Sequence, residues 1–273
     1  MMAKSQKWNK SRFLSVLMVL AGVLLYTWYA ERGVSQGVQP YEDSGQLLEV
    51  PNGPADRPQQ ILKRKNYTLS FNSSWNLPNW VAWDITKEEL EDLYQRSQNF
   101  TADPSLAESL AVLTEDYAGS GYDRGHMCPA GDNHYDADAM DECFYMTNIC
   151  PQDHKLNAGA WNNLEMACRR WARRYGRVYV ACGPIVDESN PKTIGRSHQV
   201  RVPAAFFKVI LIMDAPAPIA IGYVFENSSS DHPYRACSVD EIEAITNIDF
   251  FPALPDDLED EVEATFDESL WKW

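Results

Sequence analysis

Four consecutive residues, Asp123-Arg124-Gly125-His126, place a carboxylate, a guanidinium, a glycine and an imidazole side by side. An arginine stabilises the negative charge that develops when a phosphate ester is attacked. A histidine has a pKa near neutrality, which suits removal of a proton from water. Gly125 is expected to let a turn bend, so that His126 points into a cleft. These residue types fit phosphodiester hydrolysis, although an isolated copy of the triplet is more often a surface loop.

A second group of polar residues recurs at intervals of four: Asn157, Trp161, Glu165 and Arg169. On the helix expected over residues 157–175, which ends at Gly176, this spacing puts them on one broad face. Amide and carboxylate oxygens are hard ligands suited to Mg²⁺. The alternative is an ordinary helical ion pair between Glu165 and Arg169, and spacing alone leaves both interpretations open.

Three segments together resemble one family. DRGHMCPAGD at 123–132, TNICPQ at 147–152 and the pattern Asn157 to Arg169 resemble the DNA/RNA non-specific endonucleases. That family includes secreted sugar-non-specific nucleases and endonuclease G, which share a ββα-metal (His-Me finger) site. The likeness runs from roughly Leu62 to Leu254. It includes Trp80–Thr86 and the stretch from Ser238 to Pro252.

The resemblance implies a single-metal mechanism. His126 resembles the general base that deprotonates the attacking water, and Asn157 resembles the only direct protein ligand of Mg²⁺, for which Mn²⁺ is a possible substitute. Glu165 resembles the residue that holds metal-bound waters. The implied products carry 5′-phosphate ends. Both DNA and RNA are implied substrates, because the site reads the phosphate and not the 2′ position.

The same resemblance assigns roles to neighbouring side chains. Arg124 resembles a cation that contacts the scissile phosphate, and Arg169 resembles a second phosphate-binding arginine. Asn148 resembles an amide that supports His126 and the substrate. Asp123 is expected to brace the motif turn, and Trp161 is expected to pack.

Strand and helix patterns predict an α+β fold with a central antiparallel sheet and flanking helices. Strands are expected at 80–85, 178–182, 200–213 and 219–225, with a short β-prone run at 144–148. Besides helix 157–175, capped helices are expected to begin at Thr86 and at Ser238 or Asp240.

The first thirty residues indicate export. Four basic residues in 1–12 precede the uncharged run Phe13–Ala30, as in a signal peptide or signal anchor. We favour an uncleaved anchor, because Trp28 and Tyr29 suit a membrane interface better than a cleavage site. Either case predicts an extracytoplasmic protein, membrane-anchored by one helix or secreted or periplasmic. A linker is expected over 31–61, the nuclease-like domain over 62–255 and an acidic tail over 256–273.

The net charge of −15 argues against a generic nucleic-acid binder. Residues 256–273 contain eight acids and one lysine, so the tail contributes −7. Any attraction for DNA or RNA must then come from a local patch. The densest positive run is Arg169, Arg170, Arg173, Arg174 and Arg177, which fits either a phosphate-tracking surface or a helix end that complements its own dipole. The tail is expected to be solvated rather than a nucleic-acid mimic.

Six cysteines occur without a CxxC pair, so zinc-finger spacing is absent. Disulfides and buried free thiols remain equally open. Two other functions also remain open: a non-catalytic binding module of the same fold, and a phosphodiesterase for small nucleotides. The sequence does not define the oligomeric state.

Overall fold

The computed structural model describes residues 47–230 and 234–273, which build a seven-stranded antiparallel sheet in the order β1-β2-β3-β6-β9-β10-β11. The strands are β1 (Gln60–Lys63), β2 (Thr68–Asn72), β3 (Leu77–Thr86), β4 (Asp123–His126), β5 (Ile149–Gln152), β6 (Arg177–Ile185), β7 (Thr193–Ile194), β8 (Val200–Arg201), β9 (Ala205–Ile212), β10 (Ile219–Glu226) and β11 (Tyr234–Cys237). The α-helices of six or more residues are α1 (Ala137–Glu142), α2 (Asn162–Tyr175), α3 (Val239–Thr246) and α4 (Asp256–Ala264), and His154–Leu156 is a short α-helical turn. Strands β4 and β5 form a separate two-stranded ladder, as do β7 and β8.

Alternate residues of the central strands point to opposite faces of the large sheet, and both faces are buried. On β9, Phe206 and Lys208 contact Trp161, which directly precedes α2. Phe207 points the other way and packs on Phe250, which follows α3. The sheet therefore separates a face covered by α2 from a face covered by α3.

The α+β fold with a central antiparallel sheet is confirmed. Strands β3, β6 and β10 contain the three expected runs 80–85, 178–182 and 219–225. The single strand expected over 200–213 is instead β8 and β9, because Pro203 between them has no N–H for a ladder. The prediction of a β-prone run at 144–148 was wrong. Residues Met146–Asn148 form a 3₁₀ turn, in which the Asn148 N–H donates to the Tyr145 carbonyl.

The long helix expected over 157–175 is interrupted. Residues Asn157–Trp161 form a π-helical turn in which Gly159 (φ −107°, ψ −111°) leaves the helical region. Regular helix α2 begins at Asn162 and ends before Gly176, whose φ of 95° favours glycine. The helix expected to begin at Thr86 is only a single 3₁₀ turn, Glu88–Leu90. The start at Ser238 is confirmed, since its side chain accepts from Glu241 N.

The packed region extends beyond the boundaries drawn from the sequence. Ahead of residue 62, Leu48 is buried and Asn52 pairs with Asp249. In the acidic tail, α4 forms and Trp271 is buried, with its ring edge-on to Trp171 at 5.0 Å. Aromatic burial therefore anchors the end of a tail that we expected to be solvated.

The membrane-anchor or signal segment, residues 1–30, and most of the expected linker lie outside the described residues. Within 47–230 and 234–273, no helix is both long enough and apolar enough to cross a bilayer. All six cysteines are described, and each is a buried free thiol. The structure therefore agrees with buried free thiols and not with disulfides.

Candidate active site

The motif Asp123–His126 is strand β4 and not the turn expected from its glycine. It pairs with β5, with Gly125 opposite Cys150 and His126 opposite Ile149. Position 125 requires a glycine because there is no room for a side chain. A Cβ on Gly125 would lie 2.2 Å from Gln152 Oε1. Residues two apart on a strand share a face, so Arg124 and His126 point the same way. Two antiparallel strands followed by the helical segment make a ββα unit.

The His126 imidazole packs against two phenylalanine rings that also contact each other, with their centroids 4.9 Å apart. Its centroid lies 5.3 Å from that of Phe100 and 4.7 Å from that of Phe144. The His126 side chain is buried, and its Nε2 has no hydrogen-bond partner among the described residues. Burial, then the charges of Arg96 and Arg124, lower the pKa of His126 to about 3. The imidazole is therefore neutral near pH 7, the form that accepts a proton.

Two arginines lie over the phenylalanine rings that contact His126. Arg124 lies over Phe100, with its Cζ 4.3 Å from the ring centroid, and Arg96 lies over Phe144 at 5.3 Å. Both arginines are exposed. Arg96 was missed in the sequence because no short motif links it to residues 123–126; only folding brings it there. The pair supplies local positive charge on a chain that is acidic overall.

The Asn148 side chain is fully buried and ties two backbone segments together by hydrogen bonds. Its side-chain Oδ1 accepts from Cys128 N at 2.9 Å, and its Nδ2 donates to the Cys128 and Cys143 carbonyls, both at 2.8 Å. These bonds hold the chain directly after His126. This position fits the expectation that Asn148 supports His126. It does not fit contact of the Asn148 side chain with a substrate, because the residue is 0% exposed.

Asp123 on β4 connects the β4–β5 ladder to the helical segment that follows it. Its Oδ2 accepts from Asn157 Nδ2 at 2.9 Å and lies 2.8 Å from His154 Nδ1. From the other end of β4, the His126 carbonyl accepts from the Trp161 indole N–H at 3.2 Å. The π-helical turn thus places Asn157 and Trp161 on β4 together, which a regular helix would space differently.

Glu165 is a buried carboxylate on α2. Its pKa is raised to about 7: burial and, to a smaller extent, the charge of Asp132 raise it, and the positive charges of Lys208, Arg169 and Arg96 oppose this. Lys208 lies beneath it in the sheet, 1% exposed, with its Nζ 4.0 Å from the Trp161 ring centroid. The signal for Lys208 in the sequence is a lone lysine inside the apolar strand AFFKVILI.

Arg169 is held by Asp132. Its Nη1 lies 2.7 Å from Asp132 Oδ1, and the other carboxylate oxygen accepts from the Trp83 indole at 3.0 Å. The Arg169 side chain is 16% exposed. It is therefore a partnered arginine at the edge of the site, with a smaller free surface than Arg124. In the rest of the basic run, Arg177 pairs with Asp84, while Arg170, Arg173 and Arg174 are exposed.

The donors near β4 fit a small hard cation. Asp123 holds the amide nitrogen of Asn157, so the amide oxygen of Asn157 is directed away from that carboxylate. Glu165 adds a buried carboxylate to which no described side chain donates a hydrogen bond. One amide and one carboxylate suit Mg²⁺, which keeps most of its waters and takes few protein ligands.

Comparison with known proteins adds an independent finding. Residues 44–257 match the family model for DNA/RNA non-specific endonuclease. The mouse mitochondrial nuclease EXOG is 33% identical over 233 residues, covering 79% of this chain and 63% of that protein. A nuclease of Nostoc sp. is 31% identical, covering 81% of this chain and 85% of that protein.

The structural comparison agrees. A crystal structure of the EndoG/EndoGI complex contains a chain with a TM-score of 0.66 and 31% identity, covering 72% of this chain and 87% of that one. Human mitochondrial endonuclease G is 36% identical, over 63% of this chain and 61% of that protein. The chain thus spans less than two thirds of the mitochondrial relatives named here, and most of the Nostoc protein.

Proposed function

Because the chain belongs to the DNA/RNA non-specific endonuclease family, we propose that it is a Mg²⁺-dependent endonuclease. It hydrolyses phosphodiester bonds of DNA and RNA without sequence preference and leaves 5′-phosphate ends. The observation that carries this proposal is the buried, neutral His126 with an unpartnered Nε2, packed against Phe100 and Phe144 and under the charge of two exposed arginines, Arg96 and Arg124.

In this proposal His126 accepts a proton from the attacking water at Nε2. Phe100 and Phe144 fix the ring and keep it in a low-dielectric setting, so that it stays neutral until the proton arrives. Arg124 and Arg96 bind the phosphate oxygens and stabilise the charge that develops on them. Asn148 positions His126 through the backbone that follows it.

Asn157 would hold the metal directly, and Glu165 would hold it through water. When bound, Mg²⁺, or Mn²⁺ in its place, neutralises charge on the leaving oxygen. Asp123 orients Asn157 for this role, and Lys208 offsets the charge of Glu165 from below. Arg169, through its bond to Asp132, borders the substrate and keeps α2 against the 3₁₀ turn Ala130–Asp132.

The test is digestion of supercoiled plasmid and of RNA by the purified protein, with Mg²⁺ or Mn²⁺ and with EDTA. We expect both polymers to be cut with metal and to be left intact with EDTA. If the metal-supplied protein leaves both intact, the chain is a non-catalytic member of the family. Faster turnover of dinucleotide-like substrates than of polymers would instead favour the small-nucleotide phosphodiesterase.

We also propose that the protein acts outside the cytoplasm, anchored by residues 1–30 or released after their cleavage. Support comes from the basic flank and the uncharged run Phe13–Ala30. Membrane fractionation with N-terminal sequencing of the mature protein tests this proposal. Recovery of an intact N terminus in the soluble cytoplasmic fraction would overturn it.

A further inference from the structure

A cluster of carboxylates lies where α3 and α4 pack together, on the side of the sheet away from α2. Asp240, Glu243 and Glu263 each place one carboxylate oxygen within 4.8 Å of the other two. Like charges at this separation repel by several kcal/mol at the effective dielectric of a protein surface, roughly 20. Something that carries positive charge is needed if all three are ionised.

Glu263 adds an independent observation. Its side chain is 4% exposed, and its Oε1 is buried with no hydrogen-bond partner among the described residues. Buried polar atoms are nearly always hydrogen-bonded, so an unpartnered acceptor on a carboxylate that lies beside two others calls for a ligand. Burial, then the charges of Glu243, Glu259, Asp240 and Asp249, raise the pKa of Glu263 to about 9.

The neighbours of Glu263 are held in place by hydrogen bonds. Glu243 Oε1 accepts from the backbone N–H of Phe250 at 2.7 Å, and Asp249 Oδ2 accepts from the side-chain Nδ2 of Asn52 at 2.7 Å. The strongest charge effects on Glu263 all come from acids. Burial, then the charges of Asp249, Glu243, Asp256 and Asp260, raise the pKa of the neighbouring Glu259 to about 7. The cluster is thus a preformed acidic cradle rather than an ion-pair network.

We propose that Asp240, Glu243 and Glu263 bind one calcium ion. Calcium takes oxygen ligands at about 2.3–2.6 Å, so two ligands of one ion lie at most about 5 Å apart, and the observed spacing fits within that limit. Calcium accepts several carboxylates together with water and backbone oxygens. Mg²⁺ prefers one or two carboxylates in strict octahedral geometry.

This site is separate from the catalytic one. On β9, Phe207 contacts Phe250 on the α3 side, whereas Lys208 contacts Trp161 on the α2 side. The ion therefore fastens α4 to α3 and stabilises the fold, without taking part in hydrolysis.

The experiment measures thermal unfolding of the full-length protein, stripped with EDTA and then titrated with Ca²⁺ or Mg²⁺. The same titration is made with Asp240→Asn and Glu263→Gln, with Glu261→Gln, an exposed acid of α4, as matched control, and with Asn157→Ala to weaken the catalytic site. Calorimetric titration with Ca²⁺ alone gives the number of ions bound.

We expect calcium to raise the unfolding temperature of the wild-type, Glu261→Gln and Asn157→Ala proteins by several degrees, and to do so at lower concentration than Mg²⁺. Asp240→Asn and Glu263→Gln should lose the shift and bind one ion fewer. Because Asp240 is exposed, Asp240→Asn should fold even if Glu263→Gln does not. The proposal is overturned if calcium produces no shift in the wild type, or if the shift survives Asp240→Asn and disappears only with Asn157→Ala.

Discussion

Asp123 and Asn157 are joined by a hydrogen bond of 2.9 Å from the amide Nδ2 to the carboxylate Oδ2, across 34 positions of sequence. The bond fixes which end of the Asn157 amide faces the carboxylate. It also ties the first residue of the motif strand to the proposed metal ligand. The motif strand and the turn that contains the proposed metal ligand are thus positioned together.

We expect Asp123→Ala to raise the Mg²⁺ concentration needed for half-maximal activity by about 10-fold or more, because loss of a residue that orients a ligand typically weakens metal binding to that extent. Activity measured against Mg²⁺ concentration checks this. His154→Ala, which removes the other partner of Asp123, is the control and should leave the requirement nearly unchanged. An unaltered requirement in Asp123→Ala would remove its positioning role.

His126→Ala should lower turnover by roughly 10²–10⁴-fold while nucleic-acid binding changes little, because the arginines remain. Single-turnover cleavage and a binding titration in Ca²⁺ check the two quantities separately. His134→Ala, a histidine whose Nδ1 contacts Asp92 and the Tyr94 carbonyl, should behave as wild type. Near-normal turnover in His126→Ala would show that another group is the base.

Glu165→Gln should stabilise the metal-free protein at pH 8 but not at pH 4. The folded-state pKa of Glu165 is raised to about 7 from 4.5, so the wild type loses stability as pH rises through this window. The full shift corresponds to at most about 3 kcal/mol. Urea unfolding in EDTA measures it, with the exposed Glu88→Gln as control. Equal stability of wild type and Glu165→Gln at both pH values would contradict the burial of an ionised carboxylate.

Gly125→Ala should destabilise the fold by about 1–3 kcal/mol, since the added Cβ would lie 2.2 Å from Gln152 Oε1. Denaturant unfolding measures the loss. Combining it with Gln152→Gly removes the obstructing side chain and should recover part of the stability. No recovery in the double variant would place the strain elsewhere.

The native protein should not react with a thiol reagent such as DTNB, whereas six thiols should react after unfolding. All six cysteines are buried, and burial raises the pKa of each thiol, so little thiolate is available. Colour development before and after addition of guanidinium checks this count. Fewer than six reactive thiols in the unfolded, unreduced protein would reveal a disulfide.

The sequence predicted the sheet and its main strands because apolar β-branched runs are local signals. The resemblance of its motifs to a known family also implied that His126 and Asn157 belong to one site. The sequence could not predict that Gly125 sits in a strand, because the obstruction comes from Gln152, 27 positions away. The π-helical turn at Asn157–Trp161 was hidden because its residues keep the four-residue spacing of an α-helix.

Arg96 and Lys208 show a different limit. Each reaches the site only through tertiary packing, Arg96 over Phe144 and Lys208 beneath Trp161, so no pattern within a window reveals them. The buried end of the tail, Trp271 on Trp171, was obscured by the acidic residues around it. Composition described the charge of that segment but not its aromatic anchor.

Under the proposed mechanism, Arg96 and Arg124 make the basicity of His126 depend on what is bound. In the free protein both arginines act against protonation of His126. A phosphodiester bound by these arginines would cancel part of their charge, and this would relieve part of the depression of the His126 pKa. The proposed base would therefore strengthen when substrate arrives. Without substrate, burial and the two arginines keep the imidazole neutral near pH 7.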